Sequence, residues 1–239
     1  AGFLPGSNQG TTFRSGENPI LNLRRPVDVT DTQQRRQLDL LRELNEAHSA
    51  RNPTEPDLEA RIASYELAYR MQFAASDVVR LDEESAETKA LYGIDQDRSR
   101  DYGSKLLLAR RLVERGVRFI QAYPDEQWDA HGDLKGNHGE LSGMTDQPVA
   151  GLITDLKRRG LLDTTLVIWG GEFGRLPQSQ GTNGGRDHNP YGFLIWMAGG
   201  GVRAGYHHGS TDEIGHRAVQ DSVSVPDIHA TILHLLGLD

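Results

Sequence analysis

Histidine and carboxylate residues that could bind a metal ion lie beside three short apolar stretches of the chain. Asp129 and His131 follow the first stretch, Glu172 follows the second, and His188 precedes the third. Imidazole nitrogen and carboxylate oxygen together suit zinc, manganese or iron, whereas oxygen ligands alone suit magnesium or calcium. A single such residue more often makes a turn or a cap, but three such loops at one sheet edge favour a shared site. We therefore predict that these four residues bind one or two divalent ions, zinc or manganese.

Two arginines, Arg175 and Arg186, belong to the same loops and could bind an oxyanion. A guanidinium group presents a planar fork of N–H donors that matches the oxygens of phosphate or sulfate. We predict that both arginines stabilise the negative charge that develops on an ester during hydrolysis. Asp187 could orient the ring of His188 from outside the ligand set. The competing interpretation is that Glu172 simply forms an ion pair with one of the two arginines.

Other chemistry has little support. The chain has no cysteine, which excludes disulfides, thiolate ligands and a cysteine nucleophile. It also has no Gly-x-Ser-x-Gly elbow, so a serine hydrolase triad has no basis. Gly199-Gly-Gly201-Val-Arg-Ala204 fits a permissive dinucleotide motif, but Tyr206-His-His208 follows where a helix should begin. An NAD-binding oxidoreductase is therefore the weakest hypothesis.

The composition restricts the partners. Twenty-six Lys and Arg stand against 34 Asp and Glu in 239 residues, a formal net charge of −8. This acidic balance argues against a nucleic-acid partner, which usually leaves a basic surface. No apolar run approaches the roughly 20 residues of a transmembrane helix, so we expect no membrane span. We divide the chain into a loop and helical region, residues 1–116, and an α/β core, residues 117–239.

Hydrophobic periodicity and capping residues predict the elements that must position these side chains. Ser224 is placed as an N-cap, with Asp227 three positions later to complete a capping box. Helices are predicted over 31–52, 56–75, 98–115, 146–159 and 225–237.

Three β-branched or aromatic runs predict strands over 117–123, 165–169 and 192–198. The runs lack polar alternation, which is typical of strands covered on both faces. The predicted fold class is therefore α/β, with the three strands as parallel neighbours and helices as crossover connections.

Four stretches together resemble the DUF1501 family, which is abundant in planctomycetes and related bacteria. The opening Gly2-Phe-Leu-Pro-Gly6 extends the resemblance over nearly the whole chain. The motifs are specific for the family and much less specific for a substrate. They are Trp128-Asp-Ala-His-Gly132, Gly171-Glu-Phe-Gly-Arg-Leu-Pro177, Gly185-Arg-Asp-His-Asn-Pro190 and Val225-Pro-Asp-Ile-His-Ala-Thr-Ile-Leu-His-Leu-Leu-Gly-Leu238.

The resemblance implies a parallel-sheet core of the alkaline phosphatase/sulfatase type with a two-metal site. On that pattern, Asp129, His131 and His188 would share one ion and Glu172 would serve the second. The chain departs from the pattern because Glu172-Phe173 replaces the usual Asp-His or Asp-Asn. The superfamily's first strand, with its nucleophile, would lie upstream of residue 1. We therefore expect a nucleophile outside this chain, and another part of the same protein to supply the missing strand. Such proteins often carry an export signal, which makes a periplasmic or exported location an expectation.

Two functions from different classes follow. The first is a metal-dependent hydrolase of sulfate or phosphate esters, acting on a small molecule or a polysaccharide. The alternative is a non-catalytic binding or structural protein on the same fold, whose metal site is degenerate. Metal content separates them, because a degenerate site should hold little stoichiometric metal.

Overall fold

The computed structural model describes residues 10–14, 28–51, 78–125 and 127–238, in two compact units, 1–84 and 85–239. The division predicted at residue 116 stays a prediction. Within the described ranges the α-helices are α1 (Asp31–Arg51), α2 (Ala86–Leu91), α3 (Arg100–Glu114), α4 (Leu134–Arg158) and α5 (Val225–Leu235). The strands are β1 (Val167–Trp169), β2 (Gly174–Arg175), β3 (His188–Asn189), β4 (Trp196–Ala198), β5 (Ser210–Thr211) and β6 (Ala218–Gln220).

Helix α1 forms where the sequence predicts a helix, in the first compact unit. The Thr30 hydroxyl accepts a hydrogen bond from the backbone N–H of Gln33 at 3.2 Å, which satisfies one of the free donors at the helix start. No described residue of α1 is buried. The helix predicted over 56–75 lies outside the described residues.

The core of the second unit lies where α3 packs against α4. Leucines on the two helices supply most of its apolar surface: Leu106, Leu107, Leu108, Leu141 and Leu156 are all at most 8 % exposed. Helix α4 begins twelve residues before its predicted start, because Asp133 caps it by accepting a hydrogen bond from the Gly136 N–H at 3.1 Å.

A buried polar network joins the same two helices. The carboxylate of Asp155 accepts a hydrogen bond from the Tyr92 hydroxyl at 3.0 Å and forms an ion pair with Nε of Arg110 at 3.0 Å. Its other oxygen accepts from Nε of Arg159 at 2.8 Å. Burial, together with the neighbouring Asp155 charge, raises the pKa of Tyr92 above its usual range.

The predicted parallel sheet is wrong. The described strands form three separate two-stranded sheets, and all three pairs are antiparallel: β1 with β4, β2 with β3, and β5 with β6. Parallel neighbours need a crossover of a dozen or more residues, usually a helix, whereas antiparallel strands do not. The stretch between β1 and β4 contains β2 and β3 and no helix, and β4 runs antiparallel to β1. The unbroken apolar run therefore predicts neither the strand direction nor full burial, since Ile168 in the middle of β1 is 42 % exposed.

The strand predicted over 117–123 does not form. These residues lack a β-partner, and Phe119 and Tyr123 are 72 % and 67 % exposed. Local β-propensity without a pairing strand leaves an extended segment. The parallel core of the alkaline phosphatase/sulfatase type, with its missing first strand, is accordingly not the architecture of the described residues.

Helix α5 confirms the predicted capping box. The Ser224 hydroxyl accepts from the Asp227 N–H at 3.3 Å, and the Asp227 carboxylate accepts from the Ser224 N–H at 2.8 Å. The Ser224 hydroxyl also donates to the Asp227 carboxylate at 2.6 Å, and this bond, together with the one from the Ser224 N–H, holds the pKa of Asp227 below its usual range. Ile228, Ile232 and Leu235 are half-buried on one face, as predicted. Within the described ranges, no helix combines the length and apolarity required to cross a membrane.

Candidate metal centre

Two backbone contacts bring distant loops together. The hairpin formed by residues 180–185 lies against the loop that precedes α4: the Asp133 N–H donates to the carbonyl of Asn183 at 2.9 Å, and the Arg186 N–H donates to that of Ala130 at 2.9 Å. Gly185 permits this approach, because a Cβ there would overlap the carbonyl of His131. The arrangement places the predicted ligands of both loops beside each other.

Three of the four predicted ligands meet at one point. Oδ1 of Asp129 lies 3.0 Å from Nε2 of His131 and 3.0 Å from Nε2 of His188, and the two Nε2 atoms are 3.1 Å apart. The three donor atoms thus form a nearly equilateral triangle. Their side chains are 37 %, 42 % and 42 % exposed, so the triangle is open to solvent.

This triangle fits a single metal ion. Donors that share one ion at about 2.1 Å, with octahedral or tetrahedral angles, lie about 3.0–3.4 Å apart. The observed spacing therefore needs no rearrangement to bind an ion. Two imidazoles and one carboxylate also form the donor set that zinc, manganese and iron accept.

Glu172 does not join the triangle. Its carboxylate lies 3.4 Å from the guanidinium of Arg175, and its side chain is 63 % exposed. This is the ion pair that the competing interpretation described for Glu172. The described residues hence supply three donors for one ion, and no second site is assembled around Glu172.

The two arginines occupy different positions. Arg175 pairs with His188 across the β2–β3 sheet, and its Nη1 lies 2.8 Å from Oδ1 of Asp129. Arg186 instead donates from Nη1 to the carbonyls of Gly184 and Gly185, at 3.0 Å and 2.9 Å. Arg175 is therefore beside the triangle, whereas these contacts of Arg186 fasten the hairpin. Their predicted part in stabilising an oxyanion stays a prediction.

The charge of Asp129 is stabilised by its neighbours. The hydrogen bond from His188 and the nearby Arg175 guanidinium hold the pKa of Asp129 below its usual range. An ionised carboxylate is the form that binds a metal. The ring of His188 also packs against that of Phe173, with centroids 4.5 Å apart, which fixes its orientation.

Gln180 is a residue of the site that the sequence does not mark. Its Oε1 lies 2.7 Å from Nδ1 of His131, on the side of the ring away from the triangle. Asp187, which was expected to orient the ring of His188, accepts from the backbone N–H of His188 at 2.8 Å and lies 4.0 Å from Nδ1 of His131. No motif marks Gln180, because only the folded hairpin brings it to the site.

Comparison with known proteins identifies a family and nothing more specific. The family model described as a protein of unknown function, DUF1501, matches residues 1–239. No curated protein and no solved structure matches the chain significantly.

Proposed function

Because the chain belongs to the DUF1501 family, whose description states no activity, we propose a function from the site itself. The protein is a metal-dependent hydrolase of sulfate or phosphate esters. Asp129, His131 and His188 hold one zinc or manganese ion. The substrate is an ester of a small molecule or a polysaccharide. The proposal relates the protein to alkaline phosphatases and sulfatases by the type of reaction, hydrolysis of a phosphate or sulfate ester. It does not rest on a parallel sheet.

The triangle of donor atoms is the observation that carries the proposal. Without a metal, at least one of the two Nε2 atoms must carry a proton for these three atoms to lie within 3.1 Å of one another, and a divalent cation can take the place of that proton. A purely structural contact with Asp129 would need only one histidine, whereas the chain brings two histidines to the same carboxylate oxygen. We infer that the arrangement is built to hold a cation.

Arg175 supplies the second group that the proposed reaction needs, a cationic hydrogen-bond donor. A bound divalent ion supplies Lewis acidity, which polarises an ester oxygen and makes water a stronger acid. The guanidinium of Arg175, whose Nη1 lies 2.8 Å from Asp129, is beside the proposed ion, and its other N–H groups would donate to an oxyanion there. Solvent exposure of about 40 % at the donor residues leaves room for an ester to approach.

The ion pair between Arg175 and Asp129 also favours the competing function. A guanidinium already neutralises the carboxylate, so the cluster can exist as a polar contact without metal. In that case the protein is a non-catalytic binding or structural member of its family. Metal stoichiometry separates the two functions.

The experiment measures metal binding and hydrolysis on the same preparations of the 239-residue chain. Chelator-treated protein is titrated with Zn²⁺ and Mn²⁺ by calorimetry, and nitrophenyl sulfate and nitrophenyl phosphate are assayed with each metal. We expect one equivalent of ion to bind the wild type. Asp129→Asn and His188→Gln should bind at least about 10-fold more weakly, while Arg175→Met should retain metal and lose roughly 100-fold in turnover.

The matched control is His207→Gln, which removes an exposed histidine outside the cluster. It should bind metal and turn over esters as the wild type does. Absence of stoichiometric binding to the wild type would overturn the proposal and favour the non-catalytic function. Equal loss of affinity in the His207 and His188 variants would place the metal elsewhere.

A further inference from the structure

The contact between Gln180 and His131 determines which ring nitrogen carries the proton. Oε1 of Gln180 is an amide oxygen and only accepts hydrogen bonds. At 2.7 Å from Nδ1 of His131, it requires that this nitrogen be the donor. The lone pair of His131 is then on Nε2, the atom that faces Asp129 and His188.

We propose that Gln180 is a positioning residue that holds His131 in its Nδ1–H form and directs Nε2 at the metal. The inference rests on the proposed function, since it assigns a role within that metal site. Ligating histidines commonly donate their second N–H to an oxygen in this way, which fixes both tautomer and ring orientation. Asp187 cannot replace Gln180, because its 4.0 Å separation from Nδ1 is too long for a hydrogen bond.

The backbone of Gln180 belongs to the hairpin that lies against the loop of His131. Its N–H donates to the carbonyl of Gly185 at 2.8 Å and closes the hairpin. The same hairpin contacts the loop of His131 through Asn183. The acceptor is thus attached to the element that already positions the histidine, so little conformational entropy is lost when the contact forms.

The first test compares zinc affinities by competition titration of the 239-residue chain. Gln180→Leu keeps the approximate size of the side chain and removes the acceptor, and we expect about 10- to 100-fold weaker binding. Gln180→Glu retains an acceptor and should bind at least as tightly as the wild type. Gln178→Leu is the matched control, since Gln178 is an exposed glutamine two residues away, and it should leave the affinity unchanged.

The second test reads the tautomer directly in metal-free protein by ¹⁵N NMR of the histidine rings. The wild type and Gln180→Glu should show a protonated Nδ1 on His131, and Gln180→Leu should show a mixture of both neutral forms. Loss of side-chain packing alone would not change this signature.

Each result has a defined meaning. If the wild type binds zinc and Gln180→Leu binds it within twofold, the role of Gln180 is refuted while the proposed function stands. If both Gln180 variants weaken binding equally, packing and not the acceptor matters, and the inference is likewise refuted. If the wild type binds no zinc, the proposed function fails and this role fails with it.

Discussion

Substitution of Asp155 by asparagine tests the buried network between α3 and α4. The change keeps the shape of the side chain and removes its charge from beside Arg110, whose side chain is 2 % exposed against 7 % for Asp155. Removing one partner of a buried pair typically costs about 3–5 kcal/mol. Arg110 keeps Glu114 at 2.6 Å, so we expect the lower end of that range. The predicted loss is about 3 kcal/mol in the free energy of unfolding.

Urea unfolding followed by tryptophan fluorescence measures this loss in the unit that contains Asp155. All three tryptophans, at positions 128, 169 and 196, belong to the unit that contains Asp155. With a slope of about 2 kcal/mol/M, the predicted loss lowers the midpoint by roughly 1.5 M. The slope itself should not change.

Glu87→Gln is the matched control, because it also converts an acid that pairs with an arginine of another helix into its amide. Glu87 lies 3.4 Å from Arg158, and these side chains are 85 % and 59 % exposed. Exposed ion pairs contribute little, so we expect a change below about 0.5 kcal/mol. Equal effects of Asp155→Asn and Glu87→Gln would refute the reasoning, since burial would then not control the strength of these pairs.

Two further predictions concern the same unit. The raised pKa of Tyr92 means that the folded state disfavours its ionised form, so the free energy of unfolding should fall as pH rises above the ordinary tyrosine value of about 10. Tyr92→Phe should reduce this alkaline loss in pH-dependent urea titrations, and an unchanged slope would contradict the assignment. Gly185→Ala should weaken zinc binding at least about 10-fold, because its Cβ overlaps the carbonyl of His131. Gly139→Ala, where nothing lies near the added carbon, should bind zinc normally in the same titration.

The sequence predicts a helix end correctly where the residues that form the cap lie close together along the chain. The capping box of Ser224 and Asp227 depends on residues three positions apart, and it forms as predicted. The start of α4 was missed because three glycines, Gly136, Gly139 and Gly143, lower the local helix propensity. Tertiary packing overrides that weak preference.

Strand direction and the composition of the site depend on contacts between distant residues. The apolar run of β1 marks a strand but does not reveal that β4 pairs with it in the antiparallel sense. The types of Asp129, His131 and His188 made them candidate ligands, and the structure brings these three together, although their binding of a metal stays a prediction. Glu172 was grouped with them by residue type, while its ion pair with Arg175 depends on the turn between β1 and β2.

The hairpin at residues 180–185 has a consequence for how the molecule assembles. Asp129 and His131 are separated from His188 by 59 and 57 positions, so the donor triangle exists only after a long segment of chain has closed. Closing such a segment costs entropy that rises only slowly with its length, by about 0.6 kcal/mol per doubling. In the native fold, the backbone hydrogen bonds of the hairpin hold this segment closed. An ion held by the triangle would therefore bind the native chain in preference to the unfolded one, and would act as a non-covalent cross-link between the loop before α4 and the β2–β3 sheet.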